Sequence, residues 1–409
     1  MTDRRTFLLH TAGSLAGFSL LPDLATAKPP RLAAPRRVGI IGAGRQGRAI
    51  VAELQKLPDV AIPVLCDTSP ARLKTSLERA PGAEGAADYR TVLARADLDA
   101  VIIATPTHLH RQIALDAIQA GRHLYLEAPI AHTLDDVRAI AAAAASTKSV
   151  AYAGFQGRAN PVYQRAFSFV GSDSLRVPVS LYAQSHRKTS WRFPAAEPGS
   201  GPAVNWRLDP SVSLGLAGEL GAQQFDVALR YLGGRLPARI SGHGAIRLHD
   251  DGRKVPDTTF ATLYWEDGVA MQWQATLANS FGGQFEVLHA ENAAIKTAWT
   301  HAWLFKEVDA PTQGWEVYAT RQQIGNEEGI VLLADATKLD AQAERKRGEG
   351  LPYTSLYYAL ADFLACIDSG RRATVSVSDA ARATALGILA NQAVTTGTTV
   401  SVPPDLSTL

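Results

Sequence analysis

Cysteine is scarce in this sequence. Only two cysteines, Cys66 and Cys366, occur among 409 residues, which is too few for a disulfide scaffold or a thiolate zinc site. Both lie in apolar runs, so buried free thiols are favoured, with a single bridge between them left open. The ten histidines are scattered without ligand spacing, so no metal site is predicted.

Neither positive nor negative charge is in large excess. The 41 basic and 39 acidic residues leave a net charge of +2, which gives no reason to expect nucleic acid or an anionic membrane as a partner. No phosphate-loop lysine, nucleophilic-serine elbow or internal repeat occurs. The length nevertheless allows two domains with substantial cores.

The N-terminus has the pattern of an export signal. Arg4 and Arg5 precede a mildly apolar stretch, 11–21, and an Ala-x-Ala sequence at 25–27. The stretch is too short to span a bilayer, so no stable membrane insertion is predicted. The paired arginines resemble a twin-arginine signal, which predicts export of the folded protein to the periplasm by the twin-arginine machinery. An amphipathic helix of the mature fold is the alternative, weakened by Gly13, Gly17 and Pro22.

A glycine-rich turn follows the first apolar run of the mature chain. Residues 37–41 suit a buried parallel strand, and 48–57 read as a helix. In such a turn Gly42 permits the tight bend, Gly44 lets a diphosphate approach the backbone, and Gly47 lets the helix pack closely. The predicted cofactor contacts at this turn are Gly42, Ala43, Gly44, Arg45, Gln46 and Gly47.

An acidic residue follows the second predicted strand, 60–66. Asp67 lies twenty residues after Gly47, where a carboxylate is expected to bind the adenosine ribose hydroxyls. A carboxylate there repels a 2′-phosphate, so NAD is favoured over NADP, although Arg72 lies close enough to soften that preference. The alternative is that Asp67 caps the helix that begins near Pro70.

Two further strands end in polar turns. In an open α/β sheet the ligand lies beyond the carboxyl ends of the strands. The turns after 100–104 and 123–126 are therefore placed at the nicotinamide side, and 150–155 gives a sixth strand. An architecture of this kind without nucleotide is the alternative. The predicted cofactor contacts at these turns are Thr105, Pro106, His108, His110, Glu127 and Ala128.

Together these motifs resemble the glucose-fructose oxidoreductase and inositol dehydrogenase (Gfo/Idh/MocA) family. The resemblance continues through Asn205-Trp206-Arg207 and through the Gly-Glu-Leu-Gly sequence around Glu219. It implies a Rossmann domain over 36–155, then an open-faced, mostly antiparallel sheet with C-terminal helices over 156–409. It also implies a homo-oligomer through the open sheet.

The second half has the patterns that such a domain requires. β-rich stretches alternate with turn signals, and the pattern of 160–170 indicates a bridging helix. In the first half, the alanine-rich segment 134–146 is predicted to be a plain surface helix. The predicted strands are 177–185, 238–246, 258–265, 269–277, 284–290 and 294–299, and the C-terminal helices are 356–369 and 379–395.

The catalytic positions depart from the family pattern. Similar enzymes carry Lys where this chain has Ala128, and His where it has Gln223. Neither replacement can act as a general base. Glu219 and Asp226 remain as acids on one helix face, and His186 or Lys188 is a possible substitute base. The alternatives are a helix-start acid for Glu219, and solvated loop residues for His186 and Lys188.

A donor-rich stretch before Glu219 suits a sugar. The aromatic ring of Trp206 is expected to cover an apolar sugar face, while Asn205 and Arg207 bind hydroxyls. A core tryptophan with a structural arginine is the alternative. Gln223 and Arg192 complete the predicted substrate contacts.

Three functions are consistent with these features. The first is an exported NAD(P)-dependent oxidoreductase acting on a sugar, sugar derivative or cyclitol. Because the periplasm holds no free dinucleotide pool, its cofactor would be bound before export and recycled in the site. The second is a redox-neutral glycosidase or lyase in which NAD withdraws and returns a hydride. The third is a non-catalytic member that has lost the usual Lys and His.

Overall fold

A parallel sheet forms the first half of the protein, in a computed structural model that describes residues 32–195, 198–332 and 351–409. The predicted export signal, 1–27, lies outside the described residues. The strands are β1 (Arg36–Ile41), β2 (Val60–Cys66), β3 (Glu84–Ala86), β4 (Ala100–Ile103), β5 (His123–Leu126) and β6 (Ala151–Ala153). Their order, β3-β2-β1-β4-β5-β6, is that of a dinucleotide-binding Rossmann sheet. The order reverses between β1 and β4, where such a sheet opens a crevice.

Helices cover this sheet because their apolar sides, such as Ile50, Val51 and Leu54 of the first helix, are buried, and the central strand β4 is buried at all four residues. Side-chain caps start several of them: Ser69, Asp88 and Thr133 each accept a hydrogen bond from a first-turn amide. The helices are α1 (Arg45–Leu54), α2 (Pro70–Leu77), α3 (Tyr89–Leu93), α4 (His110–Gln119) and α5 (Leu134–Ser146). The sequence patterns did not predict β3, α3 or α4, and they placed α2 only as a helix beginning near Pro70.

A ten-stranded, mostly antiparallel sheet forms the second half and confirms the predicted fold class. Alternating burial along β9 and β10 shows one face packed and the other open. The strands are β7 (Pro178–His186), β8 (Arg239–Ala245), β9 (Thr258–Tyr264), β10 (Ala270–Thr276), β11 (Gln284–Ala290), β12 (Ala293–Ala298), β13 (His301–Lys306), β14 (Arg321–Ile324), β15 (Glu327–Val331) and β16 (Val400–Ser401). Their order is β14-β15-β13-β12-β11-β7-β10-β9-β8-β16, so four strands beyond the six predicted extend its edges.

The remaining helices follow the parallel sheet along the chain. They are α6 (Pro161–Phe167), α7 (Gly201–Val204), α8 (Ala222–Tyr231), α9 (Ser355–Ser369) and α10 (Val377–Thr396). Helix α10 packs on β8, α8 and α5, and Gly242 of β8 permits this, because a Cβ there would lie 2.8 Å from Val394 Cγ2. Val137 and Ile140 of α5 are buried and its other residues are partly or fully exposed, so the predicted surface helix packs one side against the protein.

One buried ion pair joins three segments of the interior. Both carboxylate oxygens of Asp226, on α8, accept hydrogen bonds of 2.8–2.9 Å from Arg158, and only 1% of Asp226 is exposed. Arg158 also pairs with Asp379 of α10 at 3.0 Å. This corrects the prediction that Asp226 is catalytic: its carboxylate is committed to a structural contact.

The two thiols are buried and unpaired, which disfavours the bridge left open above. Within the described residues, no group of three or more His, Cys, Asp or Glu side chains could hold a metal ion. Among the same residues, no helix has both the length and the apolar character needed to cross a membrane.

Removal of the Asp226 carboxylate is expected to destabilise the protein strongly. Asp226→Ala leaves the Arg158 guanidinium buried with only Asp379 to balance it, at a cost of about 3–5 kcal/mol in the free energy of unfolding. The control is Glu291→Ala, which breaks an exposed pair with Arg176 and should cost about 0–1 kcal/mol. Urea unfolding followed by circular dichroism measures both, and equal losses would contradict the assignment.

Candidate functional site

The turn between β1 and α1 is shaped by glycines that admit no side chain. Gly42 has a φ of +104°, and a Cβ there would lie 2.5 Å from the carbonyl oxygen of Ala104. A Cβ at Gly47 would lie 1.9 Å from the Gly42 carbonyl oxygen. Gly44 differs, because nothing lies within 4 Å of the Cβ position there. Packing therefore requires Gly42 and Gly47, whereas Gly44 borders open space.

The start of α1 leaves its amides available to an anion. Helix α1 begins at Arg45, no side chain caps it, and its first turn contains no acidic residue. Free amides and the helix dipole favour a negative group at this end. Together with the open space at Gly44, this fits the diphosphate of a dinucleotide. Arg45 and Gln46 stand at the same end, as predicted.

Asp67 lies beside this turn at the end of β2. Its carboxylate accepts hydrogen bonds from the Ala43 amide at 3.0 Å and the Ser69 amide at 2.9 Å, and it pairs with Arg72 at 3.3 Å. Ser69, not Asp67, caps helix α2. The carboxylate lies where a ribose contact is expected. No observation tests that contact, and the ribose role of Asp67 stays a prediction.

The turn after β4 contains buried polar atoms without partners. Thr105 Oγ1 and His108 Nδ1 are buried and make no hydrogen bond within the described chain. Such atoms are rare in folded proteins unless a ligand or water pairs with them. The turn of Thr105, Pro106 and His108 therefore fits the polar groups at the nicotinamide end of a dinucleotide.

His110 has a different role from the predicted one. Its two ring nitrogens lie 2.9 Å from the Thr105 carbonyl oxygen and 3.0 Å from that of Pro129. Only 1% of the residue is exposed, and burial lowers the pKa of its imidazole to about 4. This corrects the prediction of a cofactor contact, because His110 holds the turns after β4 and β5 together.

Glu127 connects the turn after β5 to the glycine-rich turn. Its Oε1 accepts a hydrogen bond of 2.8 Å from Gln46 Nε2, and its Oε2 would lie 2.8 Å from a Cβ at Gly154. Burial raises the pKa of this carboxyl to about 7. The adjacent Ala128 is half-buried. Both residues thus lie at the crevice, where the sequence placed them.

Glu219 links the two domains. It accepts hydrogen bonds from Thr107 Oγ1 at 3.1 Å, on the Rossmann side, and from Arg207 Nε at 3.2 Å. Only 2% of its side chain is exposed, against 43% for Arg207. Burial raises the pKa of Glu219, although Arg207 and Thr107 act against that rise. The carboxylate therefore lies at the junction of the two domains, next to an accessible donor.

Trp206 supports Arg207 instead of lining the surface. The Arg207 guanidinium lies 4.3 Å from the centre of the Trp206 ring, and the His108 ring meets the same ring edge-on at 5.8 Å. Trp206 is 8% exposed, so it offers little area to a sugar face. This corrects the predicted stacking role, whereas hydroxyl binding by Arg207 stays a prediction.

The predicted contacts Asn205 and Gln223 both bind main chain. Asn205 Oδ1 accepts from the Phe193 amide at 2.7 Å, and its Nδ2 donates to the Phe193 carbonyl at 3.0 Å. Gln223 Nε2 donates to the carbonyl of Gly154 at 2.8 Å. Asn205 thus holds the segment after β7 in place, which corrects its predicted role. Gly154, whose carbonyl accepts this hydrogen bond, also lies beside the Glu127 carboxylate, so Gln223 lies close to Glu127.

Three predicted residues are not brought to Glu219. His186 Nδ1 contacts the Phe281 carbonyl at 3.0 Å, and Arg192 pairs with Asp251 at 2.8 Å. Lys188 is exposed. None of the contacts among the described residues joins these three side chains to Glu219. A role of His186 or Lys188 as the substitute base therefore gains no support here and stays a prediction.

Sequence reasoning missed the contacts that Thr107 and His108 make with the second domain. Both residues lie in the turn after β4, and the pattern alone assigned that turn to the cofactor. Their partners, Glu219 and Trp206, lie about a hundred residues later in the chain. Residues so far apart in the chain show no common local pattern. Only covariation between the two positions would have revealed the contact between the β4 turn and the second domain.

Two family models match this chain. One, described as an oxidoreductase family with an NAD-binding Rossmann fold, matches residues 36–155. The other, a GFO/IDH/MocA C-terminal domain, matches residues 183–295. The predicted Rossmann domain and its NAD cofactor class are thereby confirmed at the level of the family.

Individual relatives are more distant. The chain is 28% identical to the oxidoreductase YrbE of Bacillus subtilis over 232 residues, 56% of this chain and 64% of that protein. It is 34% identical to a glycosyl hydrolase family 109 protein of Shewanella pealeana over 161 residues, 33% of this chain and 35% of that protein. These matches span about two thirds and one third of the relatives. A structure of levoglucosan dehydrogenase with NADH and levoglucosan has a TM-score of 0.70 at 19% identity, covering 90% of this chain and 99% of that one; at this identity the likeness shows the fold.

The glycines of the turn provide a matched pair of variants. Gly44→Ala should fold as the wild type, because its methyl enters open space, but should weaken NADH binding about tenfold or more, since that methyl occupies the place of the diphosphate. Gly47→Ala should lower the melting temperature, because its methyl meets the Gly42 carbonyl. Thermal unfolding and titration of NADH fluorescence measure both effects, and unchanged NADH affinity in Gly44→Ala would refute the placement.

Glu127 should make the stability of the cofactor-free protein pH-dependent. Its pKa is about 7 in the folded protein against an ordinary 4.5, so the folded state binds the proton more tightly. The stability it confers is complete below pH 4.5 and is lost as pH rises through 7, by about 3 kcal/mol. Glu127→Gln should flatten that dependence, whereas Glu78→Gln, at an exposed position, should not. Urea unfolding at several pH values tests this, and parallel curves for all three proteins would contradict it.

Proposed function

This chain belongs to the Gfo/Idh/MocA family of NAD-binding oxidoreductases, and from that membership we propose that it transfers a hydride between NAD and a sugar, sugar derivative or cyclitol. One observation carries the proposal. The Thr107–Glu219–Arg207 contact holds the accessible Arg207 guanidinium near the carboxyl end of β4, the expected nicotinamide side of the crevice, which supports a role for Arg207 in binding a hydroxyl.

The cofactor would be held by groups already in place. The α1 amides and Gly44 would hold the diphosphate, Asp67 the adenosine ribose, and the turns of Thr105 and Glu127 the nicotinamide end. When bound, NAD supplies the hydride acceptor for an alcohol carbon. The Asp67 carboxylate favours NAD over NADP, because it would repel a 2′-phosphate.

The hydroxyl proton needs an acceptor, because Ala128 and Gln223 cannot provide one. Glu219 remains the predicted base: burial raises its pKa above the ordinary 4.5, toward the range where a carboxyl exchanges protons readily. His108 is the alternative, since its ring borders Trp206 and burial lowers the pKa of its imidazole, which favours the neutral form that can accept a proton. Either group must be deprotonated to accept the proton, so the rate should fall on the acidic side.

A redox-neutral glycosidase or lyase is the second candidate. Ala128 removes the lysine that similar dehydrogenases use, and the Shewanella relative is named a glycosyl hydrolase. In that cycle bound NAD would take a hydride from a ring carbon, the neighbouring C–H would lose a proton and a substituent would be eliminated. A glycosidase would then add water to the double bond, whereas a lyase would not, and the hydride would return to the ring carbon. The same cleft would serve both reactions.

The proposal includes export and a retained cofactor. The Arg4-Arg5 pattern supports the twin-arginine route to the periplasm, where the absence of a free dinucleotide pool requires a cofactor that is bound before export and recycled in place. Assembly of copies through the open face of the second sheet, implied by the family resemblance, is part of the same proposal.

The proposed chemistry predicts turnover that depends on Glu219. The NAD-loaded protein is mixed with a panel of sugars, cyclitols and aryl glycosides, while absorbance at 340 nm and leaving-group release are recorded. Net NADH is expected for the oxidoreductase, and Glu219→Gln should lower kcat by about 10²–10⁴-fold. His108→Gln tests the alternative base, and the exposed change Glu78→Gln is the control.

The outcomes separate the candidates. Release of the leaving group without net NADH would contradict the oxidoreductase and support the redox-neutral glycosidase or lyase. Bound NAD with no turnover on any member of the panel would overturn both and indicate a non-catalytic protein.

A further inference from the structure

Trp191 has a backbone conformation that is unusual for a bulky residue. Its φ is +60°, in the left-handed region that large side chains rarely adopt. Only 7% of the residue is exposed, so its indole is enclosed by protein. Such a conformation persists only where the surroundings hold it, and strain of this kind is concentrated at functional sites.

Hydrogen bonds on both sides of Trp191 hold its main chain. The Ser190 carbonyl accepts a hydrogen bond of 2.6 Å from Nη2 of Arg253, which is itself buried. On the other side, Asn205 binds both the amide and the carbonyl of Phe193, at 2.7 and 3.0 Å. The segment is therefore anchored before and after Trp191, and these anchors fix the place of the indole.

The indole of Trp191 lies beside a guanidinium at the junction of the two domains. The Arg207 guanidinium carbon is 5.7 Å from the centre of the Trp191 ring and 4.3 Å from the centre of the Trp206 ring. At both distances an aromatic ring attracts a cation, and tryptophan does so most strongly. Two rings thus act on one guanidinium, and together they restrict where it can lie.

The protein uses only part of Arg207. Its Nε donates to Glu219 Oε2 at 3.2 Å, whereas 43% of its side chain is exposed. A guanidinium donates from Nη1 and Nη2 as well as from Nε, and within the described residues no hydrogen bond from either Nη group of Arg207 is present. These groups can therefore bind a substrate oxygen without loss of the contact to Glu219.

We propose that Trp191 is a positioning residue that acts through Arg207. With Trp206, its indole holds the guanidinium so that Nε stays on the Glu219 carboxylate and the Nη groups meet a hydroxyl of the sugar. A guanidinium that is held in advance loses less freedom when the substrate binds. This inference rests on the proposed function and specifies how its substrate-binding group is kept in place.

The position of Arg207 also controls the charge that acts on Glu219. Burial raises the pKa of Glu219, and Arg207 is the charged group that acts against this rise, together with hydrogen bonds from Thr107 and from the main chain at Leu214. If the guanidinium moved away, the pKa of Glu219 would rise further. A base with a raised pKa is still protonated at higher pH, so the acidic limb of the pH–rate profile would move to higher pH.

The test removes the ring and keeps an apolar side chain. Trp191→Leu should lower kcat/KM about threefold to thirtyfold, the range expected for loss of a cation–π contact, and should move the acidic limb to higher pH. Trp191→Phe keeps a ring and should preserve most of the activity. The control is Trp299→Leu, because Trp299 also has a left-handed φ, +52°, but packs on Tyr163.

A second measurement does not depend on turnover. The carboxyl-carbon NMR signal of Glu219, in protein that contains isotope-labelled glutamate, follows its protonation and is assigned by its loss in Glu219→Gln. The pKa of Glu219 should be higher in Trp191→Leu than in the wild type and unchanged in Trp299→Leu. Melting temperatures and NADH titration verify that each variant folds. If Trp191→Leu does not fold, Trp191→Phe, whose ring attracts a cation less strongly, should show a smaller rise.

Two results would overturn the proposal. One is an unchanged pKa of Glu219 in Trp191→Leu, even with a lower rate, because the guanidinium would then not have moved. The other is an equal effect of Trp299→Leu, which would indicate a general loss of packing.

Failure here is distinguishable from failure of the proposed function. Turnover that is the same in Trp191→Leu and in the wild type would support the oxidoreductase and overturn the role of Trp191. A raised pKa of Glu219 in Trp191→Leu, in a protein without any turnover, would do the reverse.

Discussion

The close approach of Gly47 to the Gly42 carbonyl sets the geometry on which the rest of the site depends. A single methyl at Gly47 would lie 1.9 Å from that oxygen, so α1 can start directly behind β1 only with glycine there. The same bend leaves the first amides of α1 uncapped and the space at Gly44 open. A backbone constraint thereby creates a place for an anion at the reversal point of the sheet.

Buried polar contacts then connect this place to the second domain. Glu219 joins Thr107 of the β4 turn to Arg207, and Arg158 joins Asp226 of α8 to Asp379 of α10. Each contact is costly to break, because it would strand a charge out of water. These contacts fix the second domain relative to the crevice. The proposed hydride transfer requires such fixed positions, because its rate is sensitive to small displacements of the reacting atoms.

The sequence patterns predicted the features that depend on neighbouring residues, namely backbone conformation and the burial period of strands and helices. The strand–glycine–helix sequence at Gly42, the acid at Asp67 and the alternating strands of the second sheet all appear where expected, because backbone conformation and burial period are written in neighbouring residues. The roles of His110, Asn205, Trp206 and Asp226 were wrong for a common reason. Each side chain is occupied by a partner on another element, such as Arg158 for Asp226, and spacing along one chain does not reveal such partners. The departures at Ala128 and Gln223 were visible in the sequence, but the Thr107–Glu219 contact was not.

The central claim is that the α1 amides hold the cofactor diphosphate, with the nicotinamide directed toward Thr105 and His108. A crystal structure of the protein with NADH tests it most directly. The account predicts diphosphate oxygens hydrogen-bonded to main-chain N–H groups at Gly44–Gln46, the adenosine ribose at Asp67, and the nicotinamide ring in contact with the β4 turn. A diphosphate bound elsewhere, or a nicotinamide ring lying at Asp67, would contradict it.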